Sequence, residues 1–319
     1  MQNTLYIVIP CYNEGESLRT TAFAVRDKLR GFISSGDVNE KSRIMFVNDG
    51  SSDCTWEVIK GLASGDSIFT GISLAGNSGE DLAYFAGIEE AAKHADIIIT
   101  KDSDLQDDIN AMDKMLAEYK NGAEIVFGVR ESRKNERLFT RLTSGGFYKI
   151  MTTAGARVIP QHSHFRLMSR RAALALCATK EARPFLPALA PGLGFKSAVV
   201  YHKRTANEQR PSHYNLKRLF ALAFGAIIGY TSAPVKLIGA LSLLSFLTAI
   251  CGFIYLIVKA CSGTFSQTTL LFSCIWLALA ITLFALRIIG EYILRVSADV
   301  RGRPRFIIGE NLAEDNNDI

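Results

Sequence analysis

Two periods of apolar and polar residues alternate along the first 130 residues. Leu5-Tyr6-Ile7-Val8-Ile9 is an unbroken apolar run of strand length, and the turn-forming Pro10-Cys11-Tyr12-Asn13-Glu14 follows it. Ser17 to Leu29 carries helical spacing, and the polar residues 31–42 read as a loop. Arg43 to Val47 predicts a second strand, ending in Asn48-Asp49-Gly50-Ser51-Ser52-Asp53. Ser52 or Asp53 is placed there to cap a helix from Thr55 to Leu62. The pattern continues with a strand over Ser67–Ser73 and a helix over Leu82–Ala92. A strand over Asp96–Thr100, a helix over Ile109–Tyr119 and a strand over Glu124–Val129 complete it. Strands that are apolar throughout are buried on both faces, as in parallel sheets. Their alternation with helices predicts a mostly parallel α/β sheet.

Three of these strands end in acidic or amide-rich turns: Asn13-Glu14, Asn48-Asp49, and Asp102-Ser103-Asp104-Leu105-Gln106-Asp107. In a parallel sheet their carboxyl ends share one edge, where ligands bind. Two carboxylates one residue apart, with an amide oxygen two further on, suit a hard cation. Mg²⁺ or Mn²⁺ takes oxygen ligands and bridges to substrate phosphates. Any one of the turns would serve equally as a solvated helix cap. Three in phase with the strands point to a single nucleotide-and-metal pocket.

Composition changes the picture in the C-terminal third. The chain has 319 residues, 48% of them hydrophobic. Val235 to Val258 is predominantly apolar, with its one charge, Lys236, at the edge. It is long enough to cross a hydrocarbon core of roughly 30 Å as a helix. Thr269 to about Leu286 is similar and is followed by Arg287 and Glu291. Lys217 and Arg218 precede the first run, Lys236 stands at its start, and Arg295, Arg301, Arg303 and Arg305 follow the second. The positive-inside rule then places both ends in the cytoplasm. A pair of buried core helices would share the pattern, but little polar chain is left to cover them. Leu216 to Ile228 reads as an amphipathic helix, either interfacial or packed on a domain. The organisation expected is a cytoplasmic domain over 1–212 and a juxtamembrane segment over 213–233. Two transmembrane helices (about 235–258 and 269–291) fall within 234–294, and a cytoplasmic tail covers 295–319. That makes a multi-pass protein of the cell inner membrane. The net charge of +5, without a dense basic tract in the first half, gives no sign of a nucleic-acid partner. The six cysteines form no Cys-x-x-Cys pair, as expected of free thiols in a reducing compartment. The short N-terminal run reads as a strand and not a signal peptide.

The chain resembles the glycosyltransferases of family two, and among them the polyprenyl-phosphate glycosyltransferases such as dolichol-phosphate mannose synthase and the bactoprenol glucosyltransferases. The resemblance rests on Pro10-Cys11-Tyr12-Asn13-Glu14, Asn48-Asp49-Gly50-Ser51-Ser52-Asp53, Asp102-Ser103-Asp104-Leu105-Gln106-Asp107 and Phe165-Arg166-Leu167-Met168. Gly290-Glu291-Tyr292-Ile293-x-Arg295 and Gly302-Arg303-Pro304 add to it near the C-terminus. It covers nearly the whole chain. The Gln-x-x-Arg-Trp pattern of the processive synthases in that family is missing around Trp56 and Trp276.

The resemblance implies a GT-A nucleotide-diphospho-sugar transferase fold with a C-terminal transmembrane hairpin. It implies inverting transfer of a sugar from a UDP- or GDP-linked donor to a polyprenyl phosphate. Pro10, Tyr12, Glu14 and Asp49 would hold base and ribose. Asp102, Ser103 and Asp104 would face the diphosphate, with Asp102, Asp104 and Gln106 on Mg²⁺ or Mn²⁺. Arg130 would contact phosphate, although an ordinary solvated arginine would look the same in sequence. Asp104, His164 and Arg166 would be catalytic, and Arg166, Arg210 and His213 would meet the acceptor phosphate. The chain departs from the family pattern at Glu80, where the family has lysine, and at His164, where it has aspartate. It also departs at Asn207 and His213, in place of arginine and lysine. His164 is expected to act as a cation at the acceptor, since an ordinary histidine titrates near neutrality. His162, His164 and His213 lack the spacing of a metal cluster. Transfer to another membrane lipid, or a catalytically weak nucleotide-sugar-binding scaffold, remains open, as does a homo-oligomer.

Overall fold

The computed structural model describes residues 2–131, 159, 162–179, 186–203 and 304–312, with scattered positions between 271 and 300. The chain divides into two compact units. The first comprises Met1–Tyr148, Arg157–His213 and Arg303–Ile319, and the second Lys149–Ala156 and Tyr214–Gly302.

In the first unit the expected alternation appears in order: β1 (Leu5–Cys11), α1 (Leu18–Ser34), β2 (Arg43–Asn48), α2 (Thr55–Gly65), β3 (Phe69–Leu74) and α3 (Glu80–His94). Then come β4 (Ile97–Thr100), α4 (Ala111–Lys120) and β5 (Ile125–Arg130). Helix α1 runs past its expected end because Phe32 extends the buried stripe of Leu18, Ala22, Val25 and Leu29. Five further elements follow: β6 (His162–Ser169), α5 (Arg170–Cys177), α6 (Leu186–Gly192), β7 (Ser197–His202) and β8 (Ile308–Asn311).

The strands form one sheet in the order β7-β5-β6-β4-β1-β2-β3-β8. The five expected strands β1 to β5 all run in one direction, and the sheet is mixed because β6 lies antiparallel between β4 and β5 and β8 antiparallel on the edge of β3. Strand β1 is apolar because both its faces are covered. Leu5, Ile7 and Ile9 meet α1, α2 and α4, while Tyr6 and Val8 meet α3, α5 and α6.

Strand β1 pairs with β2 on one side and β4 on the other, both in parallel. The chain therefore leaves β1 in one direction and later returns to its opposite side. The crevice beyond the carboxyl ends of β1 and β4 is the topological switch point, where open α/β sheets bind ligands.

Among the described residues no helix is long and apolar enough to cross a membrane. Residues 213–233 and the expected span 235–258 lie outside the described residues, and 269–291 is described only at scattered positions. In the second unit Leu271, Ile275, Leu286, Ile289, Ile293, Val296 and Val300 are helical and exposed.

Candidate active site

The loops at the switch point are stitched together by their own polar side chains. After β1, Asn13 takes a left-handed backbone (φ 54°), and its amide oxygen accepts the N–H of Ser52 at 2.9 Å. Ser51 and Thr55 hydroxyls accept the N–H groups of Asn13 and Glu14. Asp53 accepts that of Gly15 at 3.1 Å, and its other oxygen accepts the N–H of Thr55 at the start of α2. Tyr12 stands out from this base at 49% exposure, free to face a planar ligand.

Asp49 is buried, and its two oxygens accept the N–H groups of Ser78 at 2.7 Å and Gly79 at 2.9 Å. Burial raises its pKa, while these two bonds oppose the shift. The residue expected at base and ribose thus braces the loop after β3 against the loop after β2. The contact is close enough that a Cβ on Gly50 would lie 2.5 Å from the backbone of Gly76 and Asn77.

The acidic turn follows β4. One Asp102 oxygen accepts the Tyr84 hydroxyl at 2.6 Å, and the other lies 3.5 Å from Arg130 Nη2. Asp104 Oδ1 accepts the N–H of Gln106 at 3.1 Å. The Ser103 carbonyl accepts the Thr21 hydroxyl of α1 at 2.8 Å. Arg130, at the end of β5, donates to both oxygens of the buried Asp107 (3.1 and 3.3 Å). Burial opposes the charge on Arg130, but the Asp107 bonds, with the charges of Asp107, Asp102 and Asp104, outweigh it and raise its pKa. Arg130 is therefore a braced guanidinium and not a loose surface arginine. Among the described residues no three His, Cys, Asp or Glu side chains form a metal cage. Asp102 and Asp104 nevertheless supply hard oxygens, too few to enclose a cation and suited to one that also takes diphosphate oxygens.

Glu80, at the start of α3, faces this acidic group. Burial, then Asp102 and Asp81, push its carboxyl up to about 7. A carboxylate crowded among carboxylates thus replaces the family's lysine.

Beneath the turn lies a second cluster. The ring of His164 stacks on Tyr84, with centroids 4.6 Å apart and planes at 17°. Its Nε2 is 4.0 Å from Asp81 Oδ1, and its Nδ1 is buried without a partner among the described residues. Asp81 is pushed up to about 6 by burial, against the pull of Arg166 and the Leu186 N–H. Arg166 is 1% exposed and donates to the Leu186 carbonyl at 3.2 Å. Burial lowers its pKa to about 10, opposed by Tyr84, Asp81 and Asp102. Arg166 is thus enclosed below the site, with Nη1 engaged by α6 and Nη2 buried without a partner among the described residues.

The expected cationic His164 is corrected here. Burial, then the positive charges of Arg166 and Arg130, push its pKa down to about 3, so the ring is neutral at physiological pH. An unfolded histidine takes up a proton below 6.5, and the folded one resists until about 3. This contribution to stability is whole above 6.5 and falls away as pH drops through that window. At pH 5 wild type should therefore have lost about 2 kcal/mol relative to pH 8 that His164→Gln does not lose. Urea unfolding of both proteins across pH checks it; parallel curves, or a wild type that gains on the variant as pH falls, would overturn the neutral, buried assignment.

Arg210 and His213 lie outside the described residues, and only the backbone of His162 is described, opposite Val129 in β6. The sequence pattern assigns no role to Tyr84, Asp81, Asp107 or the buried Lys101. A cation at the end of the run Ile97-Ile98-Ile99-Thr100 is the available signal for Lys101.

The switch point sets a braced arginine beside two carboxylates, and comparison with known proteins gives the class: the protein is a glycosyltransferase. The chain belongs to Glycosyl transferase family 2, whose sequence profile matches residues 6–175. Glycosyltransferase YkoT of Bacillus subtilis is 36% identical, over 98% of this chain and 93% of its own. The SfII prophage-derived bactoprenol glucosyl transferase of Shigella flexneri is 28% identical, over 95% of this chain and 96% of its own. Among solved structures, glucosyl-3-phosphoglycerate synthase of Mycobacterium tuberculosis, in complex with Mn²⁺, UDP-glucose and phosphoglyceric acid, is 21% identical. It covers 71% of this chain and 78% of its own, with a TM-score of 0.47.

Proposed function

We propose that the protein transfers a sugar, with inversion, from a UDP- or GDP-linked donor to a polyprenyl phosphate, undecaprenyl phosphate being the leading case. The observation that carries the donor half is Arg130, braced by Asp107 and 3.5 Å from Asp102, within the field of Asp104 at the switch point. The acceptor half is supported by the relatives named bactoprenol glucosyl transferase, which match over nearly their whole length.

Asp102 and Asp104 would hold Mg²⁺ or Mn²⁺, with Gln106 beside them; a bound cation of this kind neutralises charge on a leaving diphosphate. Arg130, fixed by Asp107, offers two N–H donors to the same phosphates. The acceptor phosphate oxygen attacks the anomeric carbon from the face opposite the diphosphate. The new C–O bond forms as the old one breaks, and the nucleoside diphosphate leaves with the electron pair. A lipid phosphate is already anionic, so no base is required. Arg210 and His213 remain the candidates for the acceptor phosphate.

A hydroxyl acceptor on another membrane lipid would need a base. His164, with its pKa at about 3, would hold a proton poorly, whereas the carboxyls of Glu80 at about 7 and Asp81 at about 6 could take one. The phosphate acceptor is therefore favoured by the bactoprenol relatives and not by the want of a base.

A membrane setting is supported by the course of the chain. The sheet is left after β7 and rejoined at β8, which pairs with β3. Whatever lies between therefore crosses a bilayer an even number of times or not at all, as the hairpin over 234–294 would. The exposed apolar helical positions from Leu271 to Val300 suit a lipid surface.

The test incubates membranes carrying the full chain with a panel of nucleotide-sugars and undecaprenyl phosphate, and identifies the lipid product by mass. The expected product is the lipid phosphate heavier by one sugar residue. A glycosylated diacylglycerol or ceramide would select the other acceptor class. Nucleotide-sugar binding with no product from any donor would select the scaffold.

A further inference from the structure

We propose that Lys101 is the positioning residue of the metal turn, holding its backbone so that Asp102 and Asp104 present their carboxylates together. The inference rests on the metal-dependent transfer proposed above.

Lys101 still belongs to the sheet, since its N–H donates to the Val8 carbonyl of β1 at 3.0 Å. By strand alternation it shares a face with Ile97 and Ile99, which enter the apolar layer under α1 and α4. The residue is 0% exposed. A lysine at a core position is costly unless its donors are used. The Lys101 ammonium donates to the carbonyl of Asp102 at 3.0 Å and to the carbonyl of Asp104. The carbonyl between them, that of Ser103, is taken by Thr21.

All three successive carbonyls of the turn are thus tied inward, two of them by one side chain. Each would otherwise be free to turn toward solvent and rotate its peptide plane, moving the flanking carboxylates. Tyr84 fixes the Asp102 side chain, whereas among the described residues Asp104 is positioned through its backbone and the Gln106 N–H. Asp104 therefore depends most on Lys101. Groups that orient metal ligands in this way change metal affinity about 10–100-fold when removed.

The experiment uses the purified full chain in detergent. Free Mn²⁺ is counted by electron paramagnetic resonance in the presence of UDP or GDP, for wild type, Lys101→Met and Lys101→Gln. Lys101→Met keeps length without a donor, and Lys101→Gln keeps one amide donor and carries the test if the methionine variant does not fold. The Mn²⁺ dissociation constant should rise at least about tenfold in Lys101→Met and less in Lys101→Gln. In transfer assays the Mn²⁺ needed for half-maximal rate should rise in step, with kcat largely recovered at saturation. A merely structural lysine would lower the melting temperature and the active fraction without moving the dissociation constant of folded protein. An unchanged constant, or tighter binding from loss of a competing charge, would overturn the proposal. Wild type that binds no Mn²⁺ would instead overturn the metal reading beneath it.

Discussion

Asp104→Ala is expected to lower kcat/KM by about a thousandfold or more, with little change in melting temperature. A preorganised electrostatic contact to the reacting centre is worth about 10²–10³ in rate, and a lost cation removes more than one such contact. The fold should tolerate the change because Asp104 is at a strand end, partly exposed, and among the described residues its side chain makes one bond, to the Gln106 N–H. The turn itself is held by Lys101 and Thr21. Asp102→Ala is a less clean test: it removes the acceptor of the buried Tyr84 hydroxyl and one partner of Arg130, so stability falls with activity. Chelation of wild type should reproduce the Asp104→Ala loss, and added Mg²⁺ or Mn²⁺ should restore wild type but not the variant. Full activity in excess chelator would end the metal assignment.

Gly87→Val is expected to destabilise the protein by about 3 kcal/mol or more, a large share of an ordinary margin of about 5–15 kcal/mol. Gly87 is buried in α3 where that helix crosses the sheet. A Cβ there would lie 2.4 Å from Val8 Cγ1 and 2.6 Å from Val47 Cγ2. Neither valine can give way, because both are fully buried in β1 and β2. Gly87→Ala should fall between, since a helix gain of about 1 kcal/mol is set against overpacking of about 1–3 kcal/mol. Gly61→Ala is the control. It is in α2 with nothing within 4 Å of the added carbon, and should be neutral or stabilising by up to about 1 kcal/mol. Thermal melts of the three variants decide it; a Gly87→Val protein that melts with wild type would mean that α3 packs elsewhere. The helix also delivers Glu80, Asp81 and Tyr84 to the site. Surviving Gly87 variants should therefore lose activity out of proportion to their loss of stability.

Helices and strands up to Arg130 were legible because their signals are local. A continuous apolar run such as Ile97-Ile98-Ile99 reports burial on both faces, and the spacing of Leu18, Ala22, Val25 and Leu29 reports one helical stripe. The polar turns fell at strand ends for the same reason, and so the acidic turn could be placed on the binding edge. Strand β6 was not legible as a strand. His162-Ser163-His164-Phe165-Arg166-Leu167-Met168-Ser169 puts an arginine at a position enclosed only because β4 and β5 flank it. Strand β8 is drawn to the sheet from more than 200 residues away, by the open edge of β3.

The sequence by itself determined the α/β class and the loops that gather at the carboxyl ends of the strands, with the carboxylates Asp102 and Asp104 among them. Each of these depends on residue type and spacing along one segment. The tertiary structure decided which groups are free to act. Asp49 is occupied by the Ser78 and Gly79 N–H groups, and Arg166 is closed in against α6. Lys101 is folded under the turn that it precedes. The structure also decided the charge of His164, which sequence read as cationic and burial beside two arginines makes neutral. Protonation and hydrogen-bond partners are set by desolvation and by neighbours distant in sequence, and these exist only once the sheet has brought the loops together.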